Sequence, residues 1–343
     1  MTNKNIELVF VSINKGYGGA EKYFDNLYSE LAQGTYGGQM SYKRYELENG
    51  YWGAITLLLS IRNKVVIYNV SVLGIGLFFL TILKLLGNYV IIYPHVVVSH
   101  KKLGSKLFLL RNFFRYLSIR ISNEIILISD GNFFELESML QHKKYHFIYN
   151  YVDCENKRPI NRVAMSRHIA VIGRLQNRHK KQLDLILALG YFIKDSEIIV
   201  HFFGTGPDEM LLKQTVQARG LSNNCIFHGW VTEEEIYEHQ FSCIVNNSEW
   251  EGMALSVLEG IFNDKIVIAR NVTGNRELLY NDFLYKTYEE LVDILKRLLS
   301  KDGINIHLLN SQKSFIYNKC AKKKAILQLG DILKTHLEIT DHD

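Results

Sequence analysis

Short apolar runs alternate along the chain with longer segments in which apolar residues recur at helical spacing. In the first half, residues 6–13, 64–70 and 88–96 are almost continuously apolar, which is typical of strands buried on both faces. The segments 18–34 and 73–87 between them are predicted to be helices. Buried strands separated by helices indicate parallel strand–helix–strand units with right-handed crossovers.

The second half of the chain repeats this alternation. Strands are predicted in five further apolar segments, at residues 168–175, 196–206, 224–231, 241–247 and 264–270. Thr232 is predicted to cap the helix that follows the third of these strands. The polar segment 153–167 contains Pro159 and marks the boundary between the two halves.

These patterns predict an α/β fold of two consecutive doubly wound, Rossmann-like domains, and a chain of 343 residues suits two domains. We expect an N-terminal domain at 1–157 and a second domain at 158–318. Residues 319–343 are expected to form a helix that packs back toward the first domain.

Composition narrows the function only in part. Hydrophobic residues make up 47% and charged residues 22% of the chain, which is ordinary for a globular protein. A net charge of +5 permits an anionic membrane or a phosphate-bearing substrate without deciding between them, and the chain contains no nucleic-acid-binding motif. The four cysteines have no metal-ligand spacing and no CxxC pair, so we expect reduced, buried thiols.

The N-terminal apolar run is short and leads into a glycine turn, so it does not resemble a secretory signal. The most apolar stretch, 73–87, contains Lys84 and is shorter than the roughly 18 to 20 residues that a membrane span needs. We therefore expect a buried helix there and a cytoplasmic protein, with contact at a membrane surface left open.

In open α/β sheets, ligands bind beyond the carboxyl ends of the strands. Four loops of this chain follow predicted strands and carry polar or glycine-rich sequence, at residues 14–20, 94–100, 174–181 and 248–259. If the two predicted domains leave a cleft between these strand ends, the four loops would border it.

The first two loops offer glycine and histidine. Gly16, Gly18 and Gly19 lie between a strand and a helix, where the backbone could approach a phosphate, although a plain tight turn explains them equally well. His95 ends a strand and His100 follows it, and either could bind a substrate hydroxyl or be structural.

The third loop is strongly basic. Arg174 comes directly after a strand and is followed by Arg178, His179, Lys180 and Lys181. Guanidinium and ammonium groups at the end of a strand suit a diphosphate, because both neutralise its charge and arginine binds it with two hydrogen bonds. A solvated surface loop is the alternative.

The fourth loop contains two carboxylates, Glu251 and Glu259, around an apolar segment. The helix that begins after Gly252 would direct its N-terminal amides at a ligand. A fully helical stretch would separate the two carboxylates by about 12 Å, so they could hold two polyol groups of one ligand but not act together on one bond. The alternative is a capped helix with Glu259 in a salt bridge.

Taken together, these loops resemble the family 4 retaining glycosyltransferases, which have the GT-B fold of two facing Rossmann-like domains. The resemblance covers most of residues 5–280, and its most specific part is the Glu-x7-Glu motif from Glu251 to Glu259. It extends through the segments GGAEKYFDNL, YNYVD, VIGRLQNRHKKQLDLI, FFGTGPDEMLLKQTVQARGLSNNCIFHGWV and EGMALSVLEGIFNDKIVIARNVTGNREL. It implies an acceptor side in the N-terminal domain and a donor side in the second.

The resemblance also implies roles for single residues. Arg174 and Lys181 would grip the donor diphosphate, with Lys180 as the alternative because the family's lysine precedes a glycine and Lys181 precedes Gln182. Glu251 would contact the donor sugar and Glu259 the ribose. The remaining donor-site residues would be Gly18 and Gly19 at phosphate, His95 near the reacting sugar, Val231 at the base, Gly204, and the backbone of Gly252, Met253, Ala254, Leu255 and Ser256.

Two departures from the family pattern concern turns. The Gly-x-Pro that usually follows the second glutamate is replaced by NDKIV, and the glycine of the hinge is replaced by Tyr151. Neither substitution removes a residue with an implied donor contact.

The implied reaction moves a sugar, with retention, from a nucleotide-diphosphate sugar to a glycan or lipid-linked glycan in cell-surface polysaccharide synthesis, such as lipopolysaccharide, capsule or O-antigen. UDP is favoured over GDP, and no cofactor or metal ion is expected because no DxD motif ends a predicted strand. The alternatives are a nucleotide-sugar 2-epimerase and a non-catalytic GT-B partner subunit.

Residues 101–120 mix lysine and arginine with leucine and phenylalanine. Such a segment would suit a lipid-linked acceptor at the inner face of an anionic cytoplasmic membrane. A core-packed helix with solvated cations is the alternative.

Overall fold

In the computed structural model, the residues described are 8–14, 19–33, 40–46, 50–69, 73–94, 105–152, 160, 166–300 and 305–338. The chain forms two compact units. Unit 1 comprises Met1–Asn150 together with Lys322–Asp343, and unit 2 comprises Tyr151–Ala321.

Unit 1 contains a six-stranded sheet in the order β2-β1-β3-β4-β5-β6, with every neighbouring pair parallel. Its strands are β1 (Leu8–Asn14), β2 (Met40–Glu46), β3 (Val65–Asn69), β4 (Tyr89–Ile92), β5 (Glu124–Leu127) and β6 (Lys144–Phe147). Its helices are α1 (Gly19–Gln33), α2 (Tyr51–Leu59), α3 (Leu73–Leu85), α4 (Ser105–Ile121) and α5 (Asp130–Leu136).

Unit 2 contains a second six-stranded sheet, in the order β12-β11-β10-β7-β8-β9, again with every pair parallel. Its strands are β7 (His168–Ile172), β8 (Ile199–Phe203), β9 (Cys225–Gly229), β10 (Cys243–Asn246), β11 (Ile266–Arg270) and β12 (Leu284–Tyr285). Its helices are α6 (Asn177–Lys180), α7 (Gln182–Asp195), α8 (Glu209–Ala218), α9 (Glu233–Glu238), α10 (Leu255–Phe262), α11 (Thr273–Arg276), α12 (Tyr288–Leu299) and α13 (Ile306–Lys319).

The last helix, α14 (Lys322–Glu338), belongs to unit 1. It packs against α1, and the ammonium of Lys322 lies 2.7 Å from a carboxylate oxygen of Glu30. The predicted α/β class with two Rossmann-like, parallel-sheet units is confirmed.

The apolar sequences of β3 and β5 explain why these strands are buried. All five residues of β3 and all four of β5 are buried, as expected for strands covered by helices on both faces.

α3 is only half buried, since Phe79, Leu80 and Leu83 face the core while Phe78 and Leu85 are exposed. In the part of the chain that the structure describes, no helix is both long enough and apolar enough to cross a membrane.

One charged residue lies inside the sheet of unit 1. Glu124 is 1% exposed, and its carboxylate lies 2.7 Å from His146 Nε2, Lys144 Nζ and Tyr89 Oη and 3.1 Å from His336 Nε2. Burial alone would raise the pKa of Glu124, but hydrogen bonds from these four groups hold the pKa well below its ordinary range. This carboxylate therefore joins β4, β5 and β6 to α14.

Three of the four cysteines, Cys225, Cys243 and Cys320, are buried free thiols, as predicted. Burial raises the pKa of Cys225 and of Cys243 to about 12, so both are protonated at neutral pH. Cys154 lies outside the described residues.

Candidate active site

The strand order of unit 2 reverses between β7 and β10, which pair directly although they are far apart in sequence. At such a switch point the loops after the two strands leave in opposite directions and open a crevice at the carboxyl edge of the sheet. The loops concerned here follow β7 at residues 173–181 and β10 at residues 247–254. They are the basic loop and the first half of the glutamate loop identified from the sequence.

The two loops are held together by backbone and ring contacts. The Glu249 N–H donates to the His179 carbonyl at 2.8 Å, and His179 Nε2 lies 2.8 Å from the Trp250 carbonyl, to which it donates. The His179 ring also stacks on Trp250, with centroids 4.7 Å apart and planes within 5°. Asn247 Nδ2 donates to the Lys181 carbonyl at 2.6 Å. These contacts fix the basic residues relative to the glutamate.

Lys180 and Glu251 form an ion pair at the centre of this junction. The Lys180 ammonium lies 2.6 Å from Glu251 Oε1, and the two side chains are only 19% and 10% exposed. Burial works to raise the pKa of Glu251, but the adjacent ammonium outweighs it, so the pKa is lowered and the carboxylate is ionised. Burial and the Lys180 charge lower the pKa of His179, which is neutral beside this pair.

Lys181 has a different environment. Its backbone is left-handed, with φ 55°, and its ammonium lies 3.1 Å from Asp184, one turn into α7. A left-handed backbone is the conformation that glycine adopts most readily. Lys181 thus occupies a backbone position that glycine would accept, and of the two lysines it is Lys180 that contacts Glu251.

Asn177, a residue that the sequence analysis did not identify, organises the turn between α6 and α7. Its N–H donates to Asp208 at 2.6 Å, and its side-chain oxygen accepts the Leu183 N–H at 2.9 Å. Its amide nitrogen donates to Asp184 at 2.9 Å. Asn177 thus caps α7 and connects the loop after β7 to the start of α8. Because Asn177 is the first residue of α6 and lies five positions before α7 begins, no capping motif at the start of α7 could have predicted this role.

Gly204 acts through its lack of a side chain. A Cβ at Gly204 would lie 2.3 Å from the Gly173 carbonyl oxygen, and its φ of 128° is unfavourable for other residues. Glycine here lets the loops after β7 and β8 run side by side. Gly274 serves the loop after β10 in the same way, since a Cβ there would lie 2.6 Å from the carbonyl oxygens of Glu251 and Gly252.

The second half of the glutamate loop begins α10. The helix starts at Leu255, so Glu251 precedes it in the loop while Glu259 lies on its second turn. Gly252, Met253 and Ala254 are buried, and the first N–H groups of α10 have no partner within the helix. Gly260 allows α10 to approach the sheet, because a Cβ there would lie 2.6 Å from Ile244. Near Glu259, burial and then that carboxylate raise the pKa of Tyr237.

The remaining residues predicted for the site have varied positions. Arg174 follows β7 with an exposed side chain, and its carbonyl accepts a hydrogen bond from Gln182. Val231 follows β9 and precedes the Thr232 cap, which is present as predicted. Gly19 is the first residue of α1 in unit 1. Gly18 and His95 lie outside the described residues.

Comparison with known proteins gives one family and several related structures. Residues 153–321, just under half of the chain, match the family model described as "Glycosyl transferases group 1". Over 94 residues the chain is 23% identical to the poly(ribitol-phosphate) alpha-N-acetylglucosaminyltransferase of Staphylococcus aureus strain COL. This match covers 27% of this chain and 19% of that protein, so the chain spans about a fifth of the length of this curated relative.

Solved structures match over nearly the whole chain. HepE of Anabaena, in complex with UDP-glucose, has a TM-score of 0.75 at 15% identity, covering 96% of this chain and 100% of that one. The lipopolysaccharide outer core galactosyltransferase WaaB has a TM-score of 0.65 at 15% identity, with the same coverage. Residues 153–321 thus match the group 1 glycosyl transferases, on a chain whose fold is that of the GT-B glycosyltransferases.

Proposed function

We propose that this protein is a retaining glycosyltransferase that moves a sugar from a nucleotide-diphosphate sugar, with UDP favoured over GDP, to a glycan or lipid-linked glycan acceptor. The observation that carries the proposal is the ion pair of Lys180 and Glu251 at the switch point of unit 2. The match to group 1 glycosyl transferases supports it, as does the similarity in fold to a protein crystallised with UDP-glucose.

In the proposed mechanism, Lys180 and Glu251 exchange partners when the donor binds. The Lys180 ammonium turns to the diphosphate, where it and the exposed guanidinium of Arg174 stabilise the negative charge of the leaving group. Glu251 then accepts hydrogen bonds from the hydroxyls of the donor sugar. The exchange moves only the ends of the two side chains, because the hydrogen bonds between the loops already hold both residues at the crevice. We propose that no metal ion is required for this step.

The rest of the proposed donor site lies along α10 and after β9. The N–H groups of the segment from Gly252 to Ser256, at and just before the start of α10, would bind phosphate or sugar oxygens. Glu259 would accept hydrogen bonds from the ribose, and the backbone of Val231 would contact the base. The neutral His179 is a positioning residue, since its bonds to residues 249 and 250 hold Lys180 beside Glu251.

Donor binding and transfer test the proposal together. UDP-sugars should raise the melting temperature and give a glycoside product. Glu259→Ala should raise the KM for the donor by about 10- to 100-fold, because a charged hydrogen bond is lost. Arg174→Ala should instead lower kcat by about 10²–10³-fold. Asp195→Ala, at an exposed residue of the same unit, is the matched control.

Other outcomes would reject the proposal. Free epimerised sugar without glycoside would identify an epimerase. A melting temperature unaffected by every UDP- and GDP-sugar would favour a non-catalytic partner subunit. Unchanged turnover in both Glu259→Ala and Arg174→Ala would show that neither residue makes the donor contact proposed for it.

For the acceptor, we propose peripheral contact with an anionic membrane through α4. This helix exposes Leu109, Leu110, Phe113 and Tyr116, while Arg115 on the same helix is buried. The helix packs against the core through Ile119, while these apolar side chains face outward. Acceptors in cell-surface polysaccharide synthesis, including lipopolysaccharide, would be presented at such a surface.

Vesicle flotation tests this contact. The protein should float with anionic vesicles, and Leu109→Ser combined with Phe113→Ser should reduce the bound fraction about tenfold or more, because two apolar side chains leave the interface. Phe134→Ser, at an exposed phenylalanine on α5, is the control. Equal flotation of all three proteins would exclude α4 as the contact.

A further inference from the structure

Four histidines from three neighbouring strands and one helix end lie together in unit 2. His168 begins β7, His201 is central in β8, and His228 is the fourth residue of β9. His239 directly follows the last residue of α9. The four histidines are far apart in sequence, so no spacing motif predicts that they lie together.

A bulge in β9 brings His228 into this group. His201 pairs with Ile226 and Phe202 with Phe227, but Phe203 pairs with Gly229, which leaves His228 as the extra residue. A bulge re-aims the side chain of the extra residue. Here it lets His228 Nε2 approach His201 Nδ1 to 2.8 Å.

The nitrogen atoms are close enough to share one ion. One ring nitrogen from each of His201, His228 and His239 lies within 4.8 Å of the other two. The rings of His228 and His239 have centroids 4.5 Å apart. His201 is 7% exposed, while the other two are partly exposed, so an ion can enter from solvent.

We propose that His201, His228 and His239 bind a divalent transition metal ion of the kind that imidazole prefers, namely zinc, cobalt, nickel or copper. Three histidines supply a suitable set of nitrogen ligands for such ions. The ligand atoms are Nδ1 of His201, Nε2 of His228 and one nitrogen of His239. With zinc or cobalt, a water molecule would complete a tetrahedron.

Binding of the ion requires only a small rearrangement of the His201 and His228 side chains. In a tetrahedral site with bonds of roughly 2.0–2.1 Å, ligand nitrogens are about 3.3 Å apart. The His201 and His228 nitrogens, now 2.8 Å apart, must therefore separate by about half an ångström, which side-chain rotation provides.

The fourth histidine of the cluster, His168, orients the ring of His201. His168 Nδ1 lies 2.8 Å from His201 Nε2, the nitrogen opposite to the proposed ligand atom. When His201 Nδ1 binds the ion, its Nε2–H donates to His168, which fixes the tautomer and the ring orientation.

The histidines of this cluster also have shifted pKa values. Burial first, and then the neighbouring histidines, lower the pKa of His201 to about 4. Burial and His239 also lower the pKa of His228.

The proposed site is distinct from the proposed donor site and does not depend on sugar transfer. It joins the β8–β9 edge of the sheet to the end of α9, whereas Lys180 and Glu251 lie at the β7–β10 switch point. Its role would be to fasten α9 to the edge strand β9.

Cobalt spectroscopy and thermal unfolding test the site on the full chain after chelator treatment. Co²⁺ should give the visible absorption of a tetrahedral complex, and Zn²⁺ at 100 times its Kd should raise the melting temperature by roughly 5–10 °C. His228→Gln and His239→Gln should each weaken metal binding by more than about 100-fold, and His168→Gln by about 10- to 100-fold. His307→Gln, at an exposed histidine of the same unit, should bind like the native protein.

The alternative is a ladder of hydrogen-bonded histidines that binds no ion. Absence of the cobalt spectrum, or identical metal affinity in the His228 and His239 variants and the native protein, would establish that alternative. Both variants alter partly exposed side chains, and the circular dichroism of their metal-free forms verifies that they fold.

Discussion

Replacing Lys180 with alanine is expected to lower kcat for sugar transfer by about 10²–10³-fold, because in the proposed mechanism the diphosphate leaving group loses its ammonium partner. Lys181→Ala should change kcat by less than about threefold, since Lys181 forms only a partly exposed ion pair with Asp184. Steady-state kinetics with a UDP-sugar donor measure both values. The two lysines are adjacent in sequence, so the pair of variants is a matched comparison.

The pH profile gives a second readout for the Lys180 variant. Without the ammonium, burial dominates and the pKa of Glu251 rises, so the acid limb of the rate profile should move to higher pH. Lys181→Gly should retain activity, because glycine accepts the left-handed backbone at that position. A large loss in the Lys181 variants with normal transfer by Lys180→Ala would contradict the assignment.

Replacing Glu124 with alanine is expected to destabilise unit 1 by about 3–5 kcal/mol, because Tyr89, Lys144, His146 and His336 lose their common buried partner. Hydrogen exchange of the β5 and β6 amides measures the effect within that unit. Glu137→Ala, at an exposed glutamate of the same unit, should be nearly neutral.

The Glu124 contribution should also depend on pH. The pKa of Glu124 in the folded protein lies below its ordinary value of 4.5, so its stabilisation is complete above that value and disappears as the pH falls through the folded-state pKa. The stability difference between the native protein and Glu124→Gln should therefore narrow below pH 4.5. A constant difference from neutral pH into acid would show that the carboxylate charge contributes nothing.

Patterns within single segments predicted much of this architecture. Continuous apolar runs identified the strands β1 and β3, and the longer segments between the predicted strands identified the helices α1 and α3. Thr232 was predicted as a helix cap, and the structure shows its hydroxyl accepting the Glu235 N–H while Glu235 bonds back to the Thr232 N–H. These features depend on neighbouring residues only, so the local sequence is sufficient to specify them.

Other helices and strands could not be predicted correctly, because their sequence patterns are short or ambiguous. β12 has two residues, which is too few for a periodic pattern to appear. α2 has a nearly uniform apolar sequence without polar alternation and was not predicted. α3 was expected to be buried, yet it exposes Phe78 and Leu85, because hydrophobicity alone does not determine which side faces the core.

The sequence by itself determined the α/β class, the parallel strand–helix–strand order and the loops that carry polar chemistry. Only the tertiary structure decided that Lys180 rather than Lys181 meets Glu251, that Glu124 links three strands to α14, and that the histidines of four separate segments converge. The physical reason is that these contacts depend on strand order, on a left-handed residue and on a one-residue bulge in β9. A shift of a single residue turns a side chain to the opposite face of a strand, and no local pattern records which register the whole sheet adopts.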